Sequence, residues 1–276
     1  MIGLIINGVK MNHKYFLFSF LGCIVPFLCG CASKSHNKEG NVSLDTLTID
    51  SIVVDTVFEA TVEYILEHFP DDPPFIKGVV EMPLREQNPV LADSFAVWVY
   101  SEYGELDASE MQAGIPSITK EYLIKKCGVN NQFTFTIRKV YENANIVSFE
   151  YEFDLFCYGV HGIQARRGAS FLKESGKRLG WNMFKDDVCF QPFLKKGLEA
   201  YCEVDDLRET RSYICQEVNV DNLPLPSATP WVEKNGIRFL YGNYEISSYA
   251  GGLPTFVVPI EDAKEILTPD AYKLLR

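Results

Sequence analysis

Apolar and polar residues alternate most regularly between Phe133 and Leu155. Phe133, Phe135 and Ile137 are interleaved with Thr134, Thr136 and Arg138. After the polar turn Glu142-Asn143-Ala144-Asn145, the residues Val147, Phe149, Tyr151, Phe153 and Leu155 are interleaved with Ser148, Glu150, Glu152 and Asp154. A period of two over such a length predicts long antiparallel strands with one buried and one wetted face. The β-branched stretch Leu47–Phe58 and the run Phe75–Met82, closed by Pro83, predict further strands. Trp231–Lys234 and Ile237–Tyr241 flank Asn235-Gly236, a dipeptide that tolerates the positive φ of a tight turn, and so predict a hairpin. Thr255–Pro259 reads as one more strand.

Helical spacing appears between these runs. Asn88-Pro89 precedes Leu91, Phe95 and Trp98. An Asn side chain accepts from the free amides of a first turn and Pro fits there, so a helix is predicted to Tyr103, stopped by Gly104. A second is predicted over Ile118–Cys127 before Gly128, and a third over Phe193–Glu203, with Leu194, Leu198 and Tyr201 on one side. Glu261–Leu267 reads as a closing helix. The sum is an α+β body: antiparallel sheets with long hairpins packed against a few helices.

The beginning of the chain follows another pattern. Lys10, His13 and Lys14 precede an almost wholly apolar run from Tyr15 to Cys31. A positive flank, an apolar stretch and then small residues is the order of a secretion signal. The run is shorter than the ~20 residues of a comfortable membrane span. Leu28-Cys29-Gly30-Cys31 resembles the lipobox of bacterial lipoproteins, which implies cleavage before Cys31 and lipid attachment to it. Met11 is a more natural start than Met1. Residues 32–41 are small, polar and aperiodic, the composition of a flexible tether. Ala32, not Asp, follows Cys31, which by resemblance to the sorting rule of Gram-negative lipoproteins points to the outer membrane. The expected organisation is a signal peptide over residues 1–30, lipidated Cys31 and tether over 31–44, and α+β parts over 45–158 and 159–276.

Charge narrows the partners. The chain carries a net −11; residues 1–30 hold Lys10, Lys14 and no acid, so the remainder stands at −11 − 2 = −13. No long basic run remains, and nucleic acid is excluded as a partner. An acidic balance serves solubility first; its functional reading is the steering of a cationic partner. Beyond Cys31 there are five cysteines, Cys127, Cys157, Cys189, Cys202 and Cys215, so pairing in an oxidising envelope would leave at least one thiol. None stands in a C-x-x-C arrangement, which speaks against zinc or a thioredoxin-like site. Cys157 continues the alternation of a strand and reads as a small buried apolar residue.

Catalytic chemistry has little to work with. His161 sits between two glycines, where a turn histidine bonded to its own backbone is the plainer reading and a base or ligand contact the functional one. Asp186-Asp187 is expected to help start the following helix. Glu203, Asp205 and Asp206 form an acidic cluster expected to be a solvated face. Arg166-Arg167 is either an exposed pair on a strand or an anion contact. No G-x-S-x-G, H-E-x-x-H or Walker loop occurs. No catalytic residue, metal ligand or cofactor is therefore assigned.

Two segments carry a family likeness. Tyr158-Gly159-Val160-His161-Gly162, then Gly168-Ala169-Ser170-Phe171 and Ser175-Gly176-Lys177-Arg178-Leu179, form a turn, a strand and a second hairpin. Tyr244-Glu245-Ile246-Ser247-Ser248-Tyr249-Ala250-Gly251-Gly252 forms a loop ahead of the strand to Pro259. Both resemble signatures of the extracytoplasmic module shared by RsiV-type anti-sigma factors, which sense lysozyme, and the non-catalytic part of PdaC-type peptidoglycan deacetylases. The likeness spans Phe75 to Leu267. No sigma-factor-holding segment precedes the signal in this sequence and no deacetylase domain is present, so neither of those activities is implied. Ser248 stands where relatives often carry Pro. What the resemblance implies is a non-enzymatic binding or sensing module whose partner is a lysozyme-like protein or a peptidoglycan-related glycan. Its contact residues would be Tyr249, Gly251, Gly252, Ser248 and Tyr244, with His161 beside them. Tyr249 is expected to point outward and Tyr244 to pack back on the sheet. A structural lipoprotein without a dedicated ligand is the second reading and a cell-wall hydrolase or deacetylase the third.

Overall fold

The computed structural model describes residues 46–102, 117–127, 130–210, 214–215 and 217–276. The signal, the tether, Cys31, Tyr103, Gly104 and Gly128 lie outside the described residues. Strand β1 (Ile49–Val57) is followed by a short helix α1 (Glu63–His68), β2 (Phe75–Pro83) and α2 (Pro89–Glu102). Next come α3 (Lys120–Cys127), β3 (Gln132–Glu142), β4 (Ile146–Phe156), β5 (Ile163–Leu172) and the two-residue β6 (Arg178–Leu179). The chain then forms α4 (Gln191–Cys202), β7 (Trp231–Glu233), β8 (Gly236–Leu240) and β9 (Thr255–Val258), ending in α5 (Ile260–Ala263) and α6 (Pro269–Leu275).

Strands β1 to β6 make one sheet in sequence order, and β7 to β9 a second. The alternating runs form the β3/β4 hairpin, with Phe133 opposite Leu155 and Ile137 opposite Tyr151. All neighbours in both sheets are antiparallel except β2 and β3, which are parallel. The cause is the connection: α2 and α3 lie between these strands, and a helical crossover returns the chain in the same direction. Asn88 caps α2 as its position predicts, its Oδ1 accepting from Leu91 N at 3.0 Å.

One face of the large sheet is covered by α2. Phe95 meets Phe149 edge-on at 4.7 Å and Trp98 meets Phe171 at 6.2 Å. The other face receives β7 over part of its width. Trp231 is fully buried against Gly168, where a Cβ would fall 2.1 Å from the indole. Ser170 Oγ accepts from Val232 N at 2.8 Å and lies 2.8 Å from Ser148 Oγ, so buried hydroxyls fasten the two sheets beside the indole. A second core forms behind the small sheet, where Leu194 and Leu198 of α4 join Ile237, Phe239 and Phe256.

Several local expectations shift. The 231–240 hairpin turns on Lys234-Asn235, and Gly236 already pairs with Glu233. Gly236 is required for another reason: at φ 147°, a Cβ would lie 2.1 Å from Val258 O of β9. The closing helix is shorter, Ile260–Ala263, and α6 follows it, capped by Thr268 Oγ1 accepting from Ala271 N at 3.2 Å. Asp186-Asp187 does not start α4, which begins at Gln191 with Pro192 in its first turn and no acidic residue there. Cys157 is exposed, because β4 ends at Phe156 and the alternation stops with it. Cys157, Cys189, Cys202 and Cys215 are all free thiols. No helix among the described residues is long and apolar enough to cross a membrane.

Glu142 secures the point where the described chain enters. Its Oε1 accepts from Leu47 N and Lys173 Nζ, both at 2.7 Å, and its Oε2 from Lys139 Nζ at 2.8 Å. Burial alone would push the carboxyl pKa up from 4.5, but these three donors outweigh it and hold the pKa lower. A depressed folded pKa means that the contribution is complete above the unfolded value and disappears as pH falls through the folded one. Glu142→Gln is therefore expected to cost stability at neutral pH and to flatten the loss between about pH 5 and pH 3. Denaturant titrations of both proteins across that range check it, and parallel curves would remove Glu142 from the account.

Candidate functional site

The two signature segments, far apart in sequence, meet at one end of the large sheet. The first is the turn from β4 to β5. Tyr158 takes a left-handed φ of 54° and turns its ring inward, packing on Phe156 at 5.3 Å and Phe69 at 5.2 Å. Its hydroxyl donates to Asp72 O at 2.8 Å. With Tyr158 buried, Gly159, Val160 and His161 are forced out to solvent.

The second segment is a loop held from beneath. Ile246 and Ser247 are fully buried; Ile246 O accepts from Cys215 N at 2.8 Å, and Ser247 Oγ donates to Gly252 O at 3.0 Å. Tyr201 of α4 donates its hydroxyl to Gly251 O at 2.9 Å. Glu245 turns back and accepts from Gly242 N at 2.7 Å and Ser227 N at 2.6 Å. Asn243 Nδ2 donates to Gln164 O of β5, which ties the loop to the edge of the large sheet. Residues 249–251 form one 3-10 turn that begins after the exposed Ser248 and ends at Gly252, whose φ of 69° suits glycine.

These anchors leave three rings together. His161 stacks on Tyr249 with centroids 4.2 Å apart and planes 26° apart, and Tyr244 lies 6.5 Å from Tyr249 at 30°. His161 Nδ1 donates to Gly162 O at 2.8 Å, leaving Nε2 to face the Tyr244 hydroxyl at 3.5 Å. The turn reading of His161 and its ligand-contact reading are thus compatible: one ring nitrogen holds the turn and the other faces the loop.

The two tyrosines exchange the orientations expected of them. Tyr244 is 61% exposed, while Tyr249 is half-buried under His161. The backbone explains this, since Tyr244 is left-handed at φ 59°, which throws its ring off the sheet. Only three non-glycine residues have positive φ among those described, and two are Tyr158 and Tyr244, one in each segment. Such conformations cost of order 1–3 kcal/mol each and gather where a surface is shaped for use.

Sequence reasoning placed Tyr244, Ser248, Tyr249, Gly251, Gly252 and His161 together, and all six fall in this one region. It assigned no role to Glu245, Asn243 or Tyr201. Tyr201 is separated by 50 positions from the glycine it holds, and only its place on the apolar side of α4 marked it. Arg166 is engaged by carboxylates, with Nη2 2.7 Å from Glu150 and Nε 3.2 Å from Glu152, so it is not a free anion contact. An apolar groove of about 640 Å³ is lined by α4 and β9, with Asp262 and Tyr201 among its walls and no residue of the loop. Among the described residues no three His, Cys, Asp or Glu side chains converge as metal ligands would.

No family model matches the chain, and no curated protein matches its sequence. Solved structures do. One is a DUF3298 family protein from Pseudomonas aeruginosa PAO1, with a TM-score of 0.54, 13% identity, and 83% of this chain aligned to 98% of that one. Another is a DUF3298 family member from Bacteroides fragilis NCTC 9343, with a TM-score of 0.57, 16% identity, and 83% of this chain aligned to 97% of that one. The chain shares its fold with these two proteins. At such identities the similarity extends to the fold and carries no residue roles with it.

Proposed function

We propose that the chain is a lipid-anchored protein of the bacterial envelope whose body is a non-enzymatic binding or sensing module. The contact surface is the ring cluster of His161, Tyr249 and Tyr244, with Ser248, Gly251 and Gly252 shaping the loop. One observation carries the reading: two loops some 80 residues apart bring their rings into one stack, and the left-handed backbone of Tyr244 turns its ring out to solvent instead of into the core. Aromatic residues on firmly held loops give large contact area at little entropic cost. The resemblance to RsiV-type and PdaC-type modules supports a lysozyme-like protein or a peptidoglycan-related glycan as partner.

The expected result is saturable binding of the full chain to lysozyme or to soluble muropeptides in calorimetric titration. Binding to neither would favour a structural envelope lipoprotein. Anchoring has its own measurement. Mass spectrometry of the mature N-terminal peptide should show acylated Cys31, and Cys31→Ser should stay uncleaved or leave the membrane fraction, since the attached chains provide the anchorage. An unmodified N-terminus, or one at another residue, overturns the lipoprotein assignment.

A further inference from the structure

Most of the large exposed apolar side chains of the body fall in two groups, with Val53, Val90 and Leu225 standing apart from them. Ten large ones are exposed among the described residues. Val57, Val62, Tyr64 and Leu66 lie on or beside α1. Val160, Ile163 and Tyr244 lie at the β4–β5 turn and the loop touching it. Strand register places both groups at one end of the large sheet: Val57 pairs with Phe75, Phe75 with Gln132, Gln132 with Phe156, and Leu155 with Ile163. Phe69 joins them underneath, its ring 6.3 Å from Phe156 and 5.2 Å from Tyr158. The described chain enters at the opposite end, where Ile49 pairs with Pro83, about 25 Å away by the rise of a nine-residue strand.

The charge along α1 and the turn after it is acidic, while nearby Lys77, seated over the Phe75 ring at 5.3 Å, is engaged by Asp55 at 3.9 Å. Glu59, Glu63, Glu67, Asp71 and Asp72 are all exposed. Among the described residues none of them has a Lys or Arg within ion-pair distance, and only Glu67 faces a group able to become cationic, His68 at 3.9 Å. Single exposed apolar residues are ordinary, but a contiguous group with a polar border marks an interaction surface.

We propose that the rim running from α1 to Tyr244 docks a basic protein whose contact face sets apolar side chains among lysines or arginines. The proposal rests on the Tyr244 reading for one half of the surface; the α1 half lies in neither signature. Five exposed carboxylates without a Lys or Arg partner among the described residues repel an anionic lipid surface, and a second copy would bring the same acidic border against itself. A basic face gains from both features, through charge in the approach and apolar contact once docked.

The test uses the full chain in detergent, with lysozyme and cytochrome c as basic probes, ovalbumin as an acidic one, and phosphatidylglycerol vesicles. Binding to a basic probe, weakened by salt, is expected. Tyr64→Ser with Leu66→Ser should lower affinity about tenfold or more with the melting temperature little changed, because both side chains are more than half exposed and Ile65 is the buried residue of α1. Glu63→Gln with Glu67→Gln should reduce the salt dependence. Wild-type affinity in the α1 variants, equal binding of ovalbumin, binding to vesicles instead, self-association instead, or no binding to either basic probe would each overturn the proposal. If Tyr244→Ala abolishes binding while the α1 variants bind normally, the ring cluster stands and the α1 extension falls. The reverse pattern removes the ring cluster and leaves α1 as the docking element.

Discussion

Trp231→Ala is expected to lower the unfolding free energy by about 3–5 kcal/mol, the range for a large aromatic removed from a closed core. The side chain is fully buried where the small sheet crosses the large one, with its six-membered and five-membered rings against the bare backbone of Gly168. Truncation leaves a void that Gly168 has no side chain to fill, and the neighbouring Ser148–Ser170–Val232 hydrogen bonds lose the wall that keeps water away. A body of this size should melt roughly 10 °C lower, at ~2–4 °C per kcal/mol. Trp231→Phe should be much milder, because the indole N–H has no hydrogen-bond partner to lose among the described residues. Gly168→Val tests the same contact from the other side and should destabilise by steric clash. Melting curves of the three variants decide the matter. A Trp231→Ala protein within about 1 kcal/mol of wild type would mean that the two sheets are held by something other than this contact.

What the sequence made legible follows from how many faces of each element meet water. The β3/β4 hairpin is plain because Thr134, Thr136, Glu152 and Asp154 stay on an open face opposite Phe133, Phe135, Phe153 and Leu155. Strand β5 is far less so: Gly168, Ala169, Ser170 and Phe171 are all buried, since α2 covers one side and β7 the other, and a strand dry on both faces loses its period of two. Helix α6 had its signal in Thr268-Pro269-Asp270, and a cap followed by Pro in the first turn is a recognised start. The parallel pairing of β2 with β3 was implicit in the two helices between them. The site was legible as residues and not as orientations. Which tyrosine faces water depends on the left-handed backbone at Tyr244 and on His161 arriving from another strand, and neither is written in the loop's own composition.

That exchange of roles sets the contrast expected at the site itself. Tyr244→Ala should leave the melting temperature nearly unchanged, since a side chain 61% exposed contributes little to the core. Replacing a left-handed tyrosine by glycine should even stabilise the loop slightly, because glycine takes that conformation without a steric cost. Binding should respond in the opposite sense. If Tyr244 anchors the partner, Tyr244→Ala costs on the order of 2 kcal/mol, about thirtyfold in affinity. Tyr249→Ala should affect both properties, because its ring supports His161 at 4.2 Å while contributing to the contact surface. The measurement is a pair of titrations and a pair of melting curves, with Tyr244→Gly added to separate side-chain loss from backbone relief. A Tyr244→Ala protein that binds as wild type does, with its melting temperature intact, would take the ring out of the interface and leave the structural-lipoprotein reading ahead. A large drop in melting temperature for that variant would instead show that the loop is folded around Tyr244, and the exposed stack would then be a feature of packing and not of recognition.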